Sequence, residues 1–421
     1  MKRKMNIVCV GGGPAGLYFA ISAKLRKRDH NITVVERNPA GVTYGWGVGY
    51  WDDVLDSLYG NDPVSARKIQ SFSGVWDGVE VHVGGKQTAY LGGYGLSMGR
   101  KRLLDILTER AADLGVDIQF QREVKDLSEF AEADLIVASD GVNSRERQLY
   151  ANHYQTNVLV GRNKYLWLGT YRVFDAFRYA FEWTPAGWIW LHAYYLDAER
   201  STCIVECSPE TWEGLGFHEL GVDQSMRLLE QIFERHLCGH PLINQIRSVD
   251  NDKLPWHNFR LVSNNTWYHD NVVLIGDAAH TTHFSIGSGT KLAIGDAIAL
   301  AAKLEEHEDL HSALMSYEAK RRAEVIPIQR NAAYSMRWLE NVEDYIGQDS
   351  VHFAYALSKR YRLQQPWWRY HLHLATQISA LRALRRKLTS ARRWHHARRR
   401  ERLADTHTHP CHGSQHAPIL S

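Results

Sequence analysis

The sequence predicts an α/β fold in which a Rossmann-like dinucleotide-binding domain carries an inserted antiparallel-sheet domain and ends in C-terminal helices. Three observations predict it. An apolar strand pattern at Asn6–Val10 runs through Gly11, Gly13 and Gly16 into a helical pattern at Pro14–Arg26. Residues 152–269 then turn aromatic-rich and strand-like. From residue 271 a strand again enters a glycine-rich turn and a helix, so the first pattern resumes after the interruption.

In chain order, a second strand at 32–35 completes a βαβ unit of about the usual 30 residues. Residues 79–83 and 86–91 flank Gly84-Gly85 and read as a hairpin. A helix is predicted at 102–114, with strands near 116–120 and 135–139. Segments such as 165–173, 188–195 and 201–207 carry the inserted sheet, and long helices follow at 311–345 and 350–361. The chain thus divides into residues 1–151, the first part of the nucleotide-binding domain with small sheet insertions, and 152–269, mainly a substrate-binding sheet. Residues 270–361 form the second part of the nucleotide-binding domain with its helices, and 362–421 a basic, His-rich tail. In the tail, 381–403 reads as a surface helix. The remainder, with His407, His409, His412 and His416, reads as disordered, with no catalytic or metal-binding role.

Composition narrows the function. The 14 Trp and 20 Tyr exceed what a generic core requires and suit a pocket for a planar ligand. The net charge of +3 conceals an asymmetry, since residues 382–402 carry ten Lys/Arg against Glu401 and the rest of the chain is net negative. A general polyanion binder is excluded for the main body, and no nucleic-acid partner is expected. Five scattered cysteines without a CxxC pair argue against a zinc site or a disulfide framework and fit a reducing cytoplasm. The basic, apolar start imitates a signal peptide, but its glycine cluster has a better use. No apolar run approaches the roughly 18 residues of a membrane span.

That use is chemical. Gly11, Gly13 and Gly16 form GxGxxG between strand and helix: the first permits the tight turn, the second a close approach to a pyrophosphate, the third helix-on-strand packing. Pro14 and Ala15 belong to the same turn, where the helix N-terminus faces the phosphates. Glu36, with Arg37 beside it, ends the second strand, where a carboxylate grips a ribose hydroxyl. Asp140-Gly141 and Gly276-Asp277 each follow an apolar strand. An Asp in that position reaches a ribose or ribityl hydroxyl, and a neighbouring glycine lets the backbone come close.

In these residues the chain resembles the single-component FAD-dependent aromatic hydroxylases of the p-hydroxybenzoate hydroxylase fold. GxGxxG, a DGxxSxxR motif from Asp140 to Arg147 and a GD motif at Gly276-Asp277 occur in that family's order within residues 1–345. The resemblance implies noncovalent FAD, NAD(P)H as a transient reductant and O2 as co-substrate. It also implies that Arg100 contacts the flavin nucleotide and that Asp277 meets the ribityl chain. Gly287, Ser288, Gly289 and Thr290 would start a helix whose dipole faces the flavin pyrimidine. The strings GWGV (45–48), GRNKYLWLGT (161–170), HFSIGSGTKLA (283–293) and NAAYSMRWLENV (331–342) narrow the resemblance further. They are similar to the branch with salicylyl-CoA 5-hydroxylase, 2-aminobenzoyl-CoA monooxygenase and the violacein-pathway tryptophan-derivative hydroxylase, enzymes of aromatic-compound and secondary metabolism. Phe284 and Lys291 stand where the broader family has proline and asparagine, so the wall beside the isoalloxazine differs.

The implied reaction is hydroxylation of an electron-rich aromatic ring, to which the protein contributes positioning and water exclusion. The narrower resemblance, with Arg162, Lys164 and the basic tail as phosphate contacts, implies an ortho-amino or ortho-hydroxy aryl thioester on coenzyme A or a carrier protein. Trp46 and Phe284 are the other expected substrate contacts. His283, in the loop expected beside the flavin, is the candidate proton-handling residue. A tryptophan-derived free small molecule is the alternative substrate, and a flavin-binding sensor or interaction protein the non-enzymatic alternative. Trp188-Ile189-Trp190 matches part of the WxWxIP signature of flavin halogenases, but His192 and Ala193 replace its Ile and Pro, so the segment reads as a core strand. The oligomeric state is left open.

Overall fold

The computed structural model describes residues 3–43, 45–245, 252–360, 366 and 368–408. Strand β1 (Asn6–Val10), helix α1 (Pro14–Arg26) and β2 (Asn31–Val35) form the opening unit. The chain then leaves for β3 (Gly47–Tyr50), α2 (Asp52–Asn61), β4 (Gly74–Val83) and β5 (Ala89–Gly99), and returns through α3 (Arg100–Asp113) to β6 (Asp117–Gln119) and β7 (Leu135–Ala138). The next strands are β8 (Asn157–Thr170), β9 (Phe177–Thr184), β10 (Gly187–Tyr195), β11 (Ser201–Cys207), β12 (Leu242–Ile243) and β13 (His257–Ser263). After β14 (Tyr268–His269) and β15 (Val272–Leu274) come the helices α4 (Gly289–Glu306), α5 (Leu310–Glu340), α6 (Ser350–Lys359) and α7 (Ser379–Thr408).

Two sheets result. The first has the order β14-β15-β7-β1-β2-β6, parallel except at its β14 edge. Its strands are short apolar runs; all four residues of β7 are buried, as expected for a parallel strand covered on both faces. Helix α1 is buried from Pro14 to Lys24 between this sheet and α4. The second sheet has the order β12-β8-β11-β10-β9-β4-β5-β3, with β13 also paired to β8.

This second sheet draws β3, β4 and β5 from residues 47–99, so the segment 152–269 supplies only part of it. The hairpin expected around Gly84-Gly85 is β4 and β5, and β4 joins the later strands by pairing in parallel with β9. Alternation along the strands then sorts the side chains. Leu166, Leu168, Leu191, Cys203 and Val205 point to one face and pack against Phe217, Leu229 and Phe233. Tyr165, Trp167, Phe177, Tyr194 and Ile204 point to the other, toward the nucleotide-binding domain.

The basic segment departs from the expectation of a solvated surface helix. Helix α7 forms through Thr408, but part of its charge faces inward. Buried Arg400 donates to Asp52 at 2.7 Å and Asp56 at 2.6 Å, both on α2, and Glu401 accepts from Tyr59 and Arg67. Just before α7, the Gln377 amide bonds both backbone groups of Tyr90 on β5, and the Arg382 guanidinium lies 3.6 Å from the Tyr90 ring centroid. The physical reason is the net-negative main body, whose carboxylates on α2 give the tail's arginines partners. His409, His412 and His416 lie outside the described residues, as does Cys411. No helix among the described residues is long and apolar enough to cross a membrane.

Arg400→Ala should leave Asp52 and Asp56 without their partner and weaken the docking of α7 by about 1–3 kcal/mol. Limited proteolysis should then cut within residues 379–408 faster than in the wild type, whereas exposed Arg399→Ala should change nothing. Equal protection in all three proteins would contradict the anchoring role.

Candidate cofactor and substrate site

Strand β1 lies between β7 and β2, the position where an open α/β sheet forms its crevice at the carboxyl ends of the strands. The glycines there differ in what holds them. Gly11 has φ +108°, and a Cβ would stand 2.5 Å from the Ser139 carbonyl oxygen; a Cβ on Gly16 would stand 2.3 Å from the Gly11 carbonyl oxygen. Both are required by packing. Gly13 has ordinary extended backbone, and a Cβ there would meet no atom within 4 Å. Its open side, at the N-terminus of α1, is a cradle into which a pyrophosphate fits. Pro14 and Ala15 are buried in the first turn, Ala15 against Gly276. Glu36 at the end of β2 accepts from the Gly12 N–H at 2.8 Å with one oxygen and from the Asn38 backbone and side chain with the other. Arg37 is exposed.

The DG and GD loops close the far side. Asp140 accepts from the Arg145 N–H at 2.7 Å through one oxygen and lies within hydrogen-bond reach of the Glu146 carboxyl. Burial and then the neighbouring Asp140 push the Glu146 carboxyl up to about 8, so Glu146 holds a proton at neutral pH. Gly141 has φ +85°, and a Cβ there would meet nothing within 4 Å. Arg147, the last residue of DGxxSxxR, donates to the carbonyls of Val142 at 2.6 Å and Ala278 at 3.1 Å and so ties the two loops together. Its structural work, and that of Ser139, which donates to the carbonyls of Val10 and Gly11, had only the motif spacing as a sequence signal.

Asp296 on α4 fixes the GD turn. Fully buried, it accepts from the Gly276 N–H at 2.8 Å, from His280 Nε2 at 2.8 Å and from Arg321 Nε on α5 at 2.7 Å. Burial pushes its carboxyl up, and the charges of His280 and Arg321 overcome that and hold it below the ordinary range. Asp277, by contrast, is exposed within a buried loop, yet protein surrounds it closely enough that burial raises its carboxyl against the pull of Arg100. A carboxylate both accessible and enclosed lines a cavity. Arg100, the other charge on that cavity, donates to Thr43 Oγ1 at 3.1 Å, and its backbone N–H to the Trp46 carbonyl. Gly287 takes φ +60°, Ser288 is the N-cap of α4, and Gly289 and Thr290 begin the helix with open space beside Gly289. An open cradle at Gly13 and the accessible Asp277 carboxylate fit a bound FAD, with Glu36, Arg100, Asp277 and the α4 N-terminus as the groups that would hold it.

On the substrate side, Phe284 stands 4.8 Å from Tyr165, centroid to centroid, and 4.2 Å from His283, at the edge of the aromatic face. Trp46 is buried over Gly169, where a Cβ would come 2.5 Å from its ring. The structure does not bring Arg162 and Lys164 here. Alternation along β8 turns them to the opposite face, where exposed Arg162 approaches Glu210 at 3.4 Å and Lys164 bonds Asn258 and covers the Trp212 ring. His283 is buried with Nδ1 2.7 Å from Ser285 Oγ, and it caps the following turn. Burial, then the Arg360 charge, lower its pKa to about 3, so it is neutral near pH 7. His192, read in the sequence as part of a core strand, is buried in β10 on its aromatic face, 5.8 Å from Phe284.

Known proteins share both sequence and fold with this chain. An FAD binding domain family matches residues 235–332. The chain is 38% identical to salicyloyl-CoA 5-hydroxylase of a Streptomyces species over 81% of its length, covering 66% of that longer protein. It is 34% identical to 3-hydroxy-4-methyl-anthranilyl-[aryl-carrier protein] 5-monooxygenase of Streptosporangium sibiricum, over 81% of this chain and 90% of that one. Protodeoxyviolaceinate monooxygenase of Chromobacterium violaceum is 30% identical over 86% of this chain and 96% of its own. In fold, the chain is similar to 2-methyl-3-hydroxypyridine-5-carboxylic acid oxygenase, with a TM-score of 0.66 at 20% identity over 86% of this chain and 96% of that one.

The glycine geometry separates two variants. Gly13→Val should fold with the apoprotein's normal melting temperature but lose FAD affinity by roughly tenfold or more, about 1.4 kcal/mol or greater. Gly11→Ala should instead lower the melting temperature of the apoprotein. Full flavin content in folded Gly13→Val would contradict the cradle. A second expectation concerns pH. The unfolded chain protonates His283 near pH 6.5 and the folded chain only near 3, so the unfolded state binds the extra proton between those values. Stability should therefore fall as pH drops from about 6.5 toward 3, and less steeply in His283→Asn when both are followed by urea denaturation.

Proposed function

The chain belongs to the FAD-dependent aromatic monooxygenases, and on that premise we propose that it hydroxylates an electron-rich aromatic ring presented as a thioester. The observation that carries this reading is the meeting of two unlike groups of residues: the exposed Asp277 carboxylate of the GD turn lies near enough to act on the Tyr165 hydroxyl, and Tyr165 belongs with Trp167, Phe177, Tyr194 and Phe284 to the aromatic sheet face. The balanced reaction is ring C–H, O2, NAD(P)H and a proton giving ring C–OH, NAD(P)+ and water. Bound FAD supplies the redox and oxygen-activating chemistry.

The chain's own residues bind, orient and exclude water. Gly13 and the α1 N-terminus receive the pyrophosphate, Glu36 the ribose and Asp277 the ribityl hydroxyls. The α4 N-terminus at Gly289 places partial positive charge where the flavin pyrimidine lies. Tyr165, Phe177, Tyr194 and Phe284 hold a flat ring by apolar contact and keep water from the reacting centre. Neutral His283 holds its proton on Nε2, since Nδ1 accepts from the Ser285 N–H, and it can donate at that atom. Support for the thioester comes from the salicyloyl-CoA and carrier-protein relatives. With Arg162 and Lys164 turned away from the cavity, the coenzyme or carrier does not depend on them for its seat in this reading.

Purified, flavin-loaded protein should consume NAD(P)H faster when given an ortho-hydroxy or ortho-amino benzoyl thioester than when given the free acid or a tryptophan derivative. The reverse order would overturn the thioester assignment and leave the monooxygenase one. Asp277→Ala should misplace the flavin, lower product per NAD(P)H by on the order of tenfold and release the difference as H2O2. Unchanged coupling would contradict the role given to Asp277.

A further inference from the structure

A carboxylate and an imidazole are buried together on the aromatic face of the second sheet. Glu206 on β11 and His192 on β10 are each 1% exposed. In the β10–β11 register Glu206 stands opposite Trp190 and His192 opposite Ile204, so the two are diagonal neighbours on one face, Nε2 to Oε2 3.6 Å. Glu206 accepts from Asn163 Nδ2 at 2.8 Å and Trp190 Nε1 at 3.2 Å. His192 Nε2 is buried without a hydrogen-bond partner. Its ring lies 4.8 Å from Tyr179 and 5.8 Å from Phe284, whose ring in turn contacts Tyr165. A sheet core gains nothing from such a pair, because burying a carboxylate beside an unsatisfied imidazole costs several kcal/mol.

We propose that His192 and Glu206 together form the base that ionises a hydroxyl on the bound ring, so that the site selects an ortho-hydroxy over an ortho-amino aryl substrate. This rests on the hydroxylase reading above. The ring O–H bond breaks with its electron pair left on oxygen, and the proton forms a bond to His192 Nδ1. The Nε2–H bond breaks in turn, and its proton forms a bond to Glu206 Oε2. One negative charge moves from Glu206 to the ring, and the buried charge stays constant, so the low-dielectric site imposes no new charge-burial cost. A phenolate is more electron-rich at the ring carbon that receives oxygen. An amino group already offers its lone pair and needs no base.

The surroundings suit these roles. Burial raises the Glu206 carboxyl to about 7, against the lowering effect of Asn163, Trp190 and Arg360, with Glu340 raising it slightly. Burial, then Arg360 and His283, hold His192 well below its ordinary value, so the imidazole passes a proton on while the carboxyl stores it. Arg360 itself is buried and donates to the Tyr179 hydroxyl and the Ser285 carbonyl. Tyr165, whose hydroxyl is pushed up to about 12 by burial and then by Asp277 and Glu206, stays protonated and does not compete as a base.

The test uses oxidised, FAD-loaded protein with 2-hydroxybenzoyl-CoA and 2-aminobenzoyl-CoA as probes. Phenolate absorbance of the bound hydroxy probe, titrated against pH without NAD(P)H, should give an apparent pKa about one unit higher in Glu206→Gln and in His192→Gln than in wild type, a tenfold change. In turnover, both variants should lose about tenfold in kcat on the hydroxy probe and keep the wild-type rate on the amino probe. Gln at 206 can still accept from Asn163 and Trp190, which preserves the fold. An unshifted titration, or equal losses on both probes, would overturn the inference and leave the hydroxylase reading intact. Failure of wild type to bind either thioester would sink the substrate reading and the inference with it.

Discussion

The buried carboxylate of Asp296 is the constraint on which the cofactor site depends. It holds the Gly276 N–H, His280 and Arg321 at once, joining the GD turn to α4 and α5 with 2.7–2.8 Å bonds. Removing one partner from such a group leaves a buried charge uncompensated, at a cost of about 3–5 kcal/mol. With the turn so fixed, Gly276 seats against Ala15 of α1 and the Asp277 side chain is left facing the cavity. Arg147 then ties the DG loop to the same turn through carbonyls. Three segments far apart in sequence therefore present their polar groups to one place.

The second sheet is held against this frame by close backbone approaches. Gly45 lies under Trp167, Gly47 against Thr202 and Tyr194, and Gly169 under Trp46, each at a distance where a Cβ would collide. The strings GWGV and GRNKYLWLGT thus describe the two sides of one packed contact, and their glycines and tryptophans alternate across it. The Tyr194 hydroxyl donates to the Gly47 carbonyl and pins β3 to the aromatic face. A pocket wall built of interlocked large rings and glycines is rigid, which is what positioning a flat ring beside a cofactor requires.

Helix α7 shows how charge asymmetry along a chain becomes structure. The net-negative body offers Asp52 and Asp56 on α2 to the arginines of the tail, and Arg400 is buried there rather than solvated. Because α2 follows β3 directly and Asp53 pairs with Lys291 in the first turn of α4, this docking bears on the same elements that carry the cofactor site. Leu384, Leu388 and Trp394 remain exposed on the outer side of the helix.

The sequence by itself determined the nucleotide-binding half of this protein. Glycine spacing, a carboxylate at the end of the second strand and apolar runs ahead of Asp140 and Asp277 are local patterns, and local patterns specify strand–turn–helix units whatever surrounds them. The branch resemblance likewise rested on contiguous strings. Tertiary structure decided what depends on which face a strand turns inward. Arg162 and Lys164 lie in a motif string, but a two-residue period sends them to the face opposite Tyr165 and Trp167, and the same period puts His192 and Glu206 side by side, buried, on the aromatic face. The membership of β3, β4 and β5 in the second sheet, and the burial of Arg400, arise from pairings across tens to hundreds of residues, such as β4 with β9 and Arg400 with Asp52. No window of sequence contains both partners of such a pairing, so only the folded chain could show them.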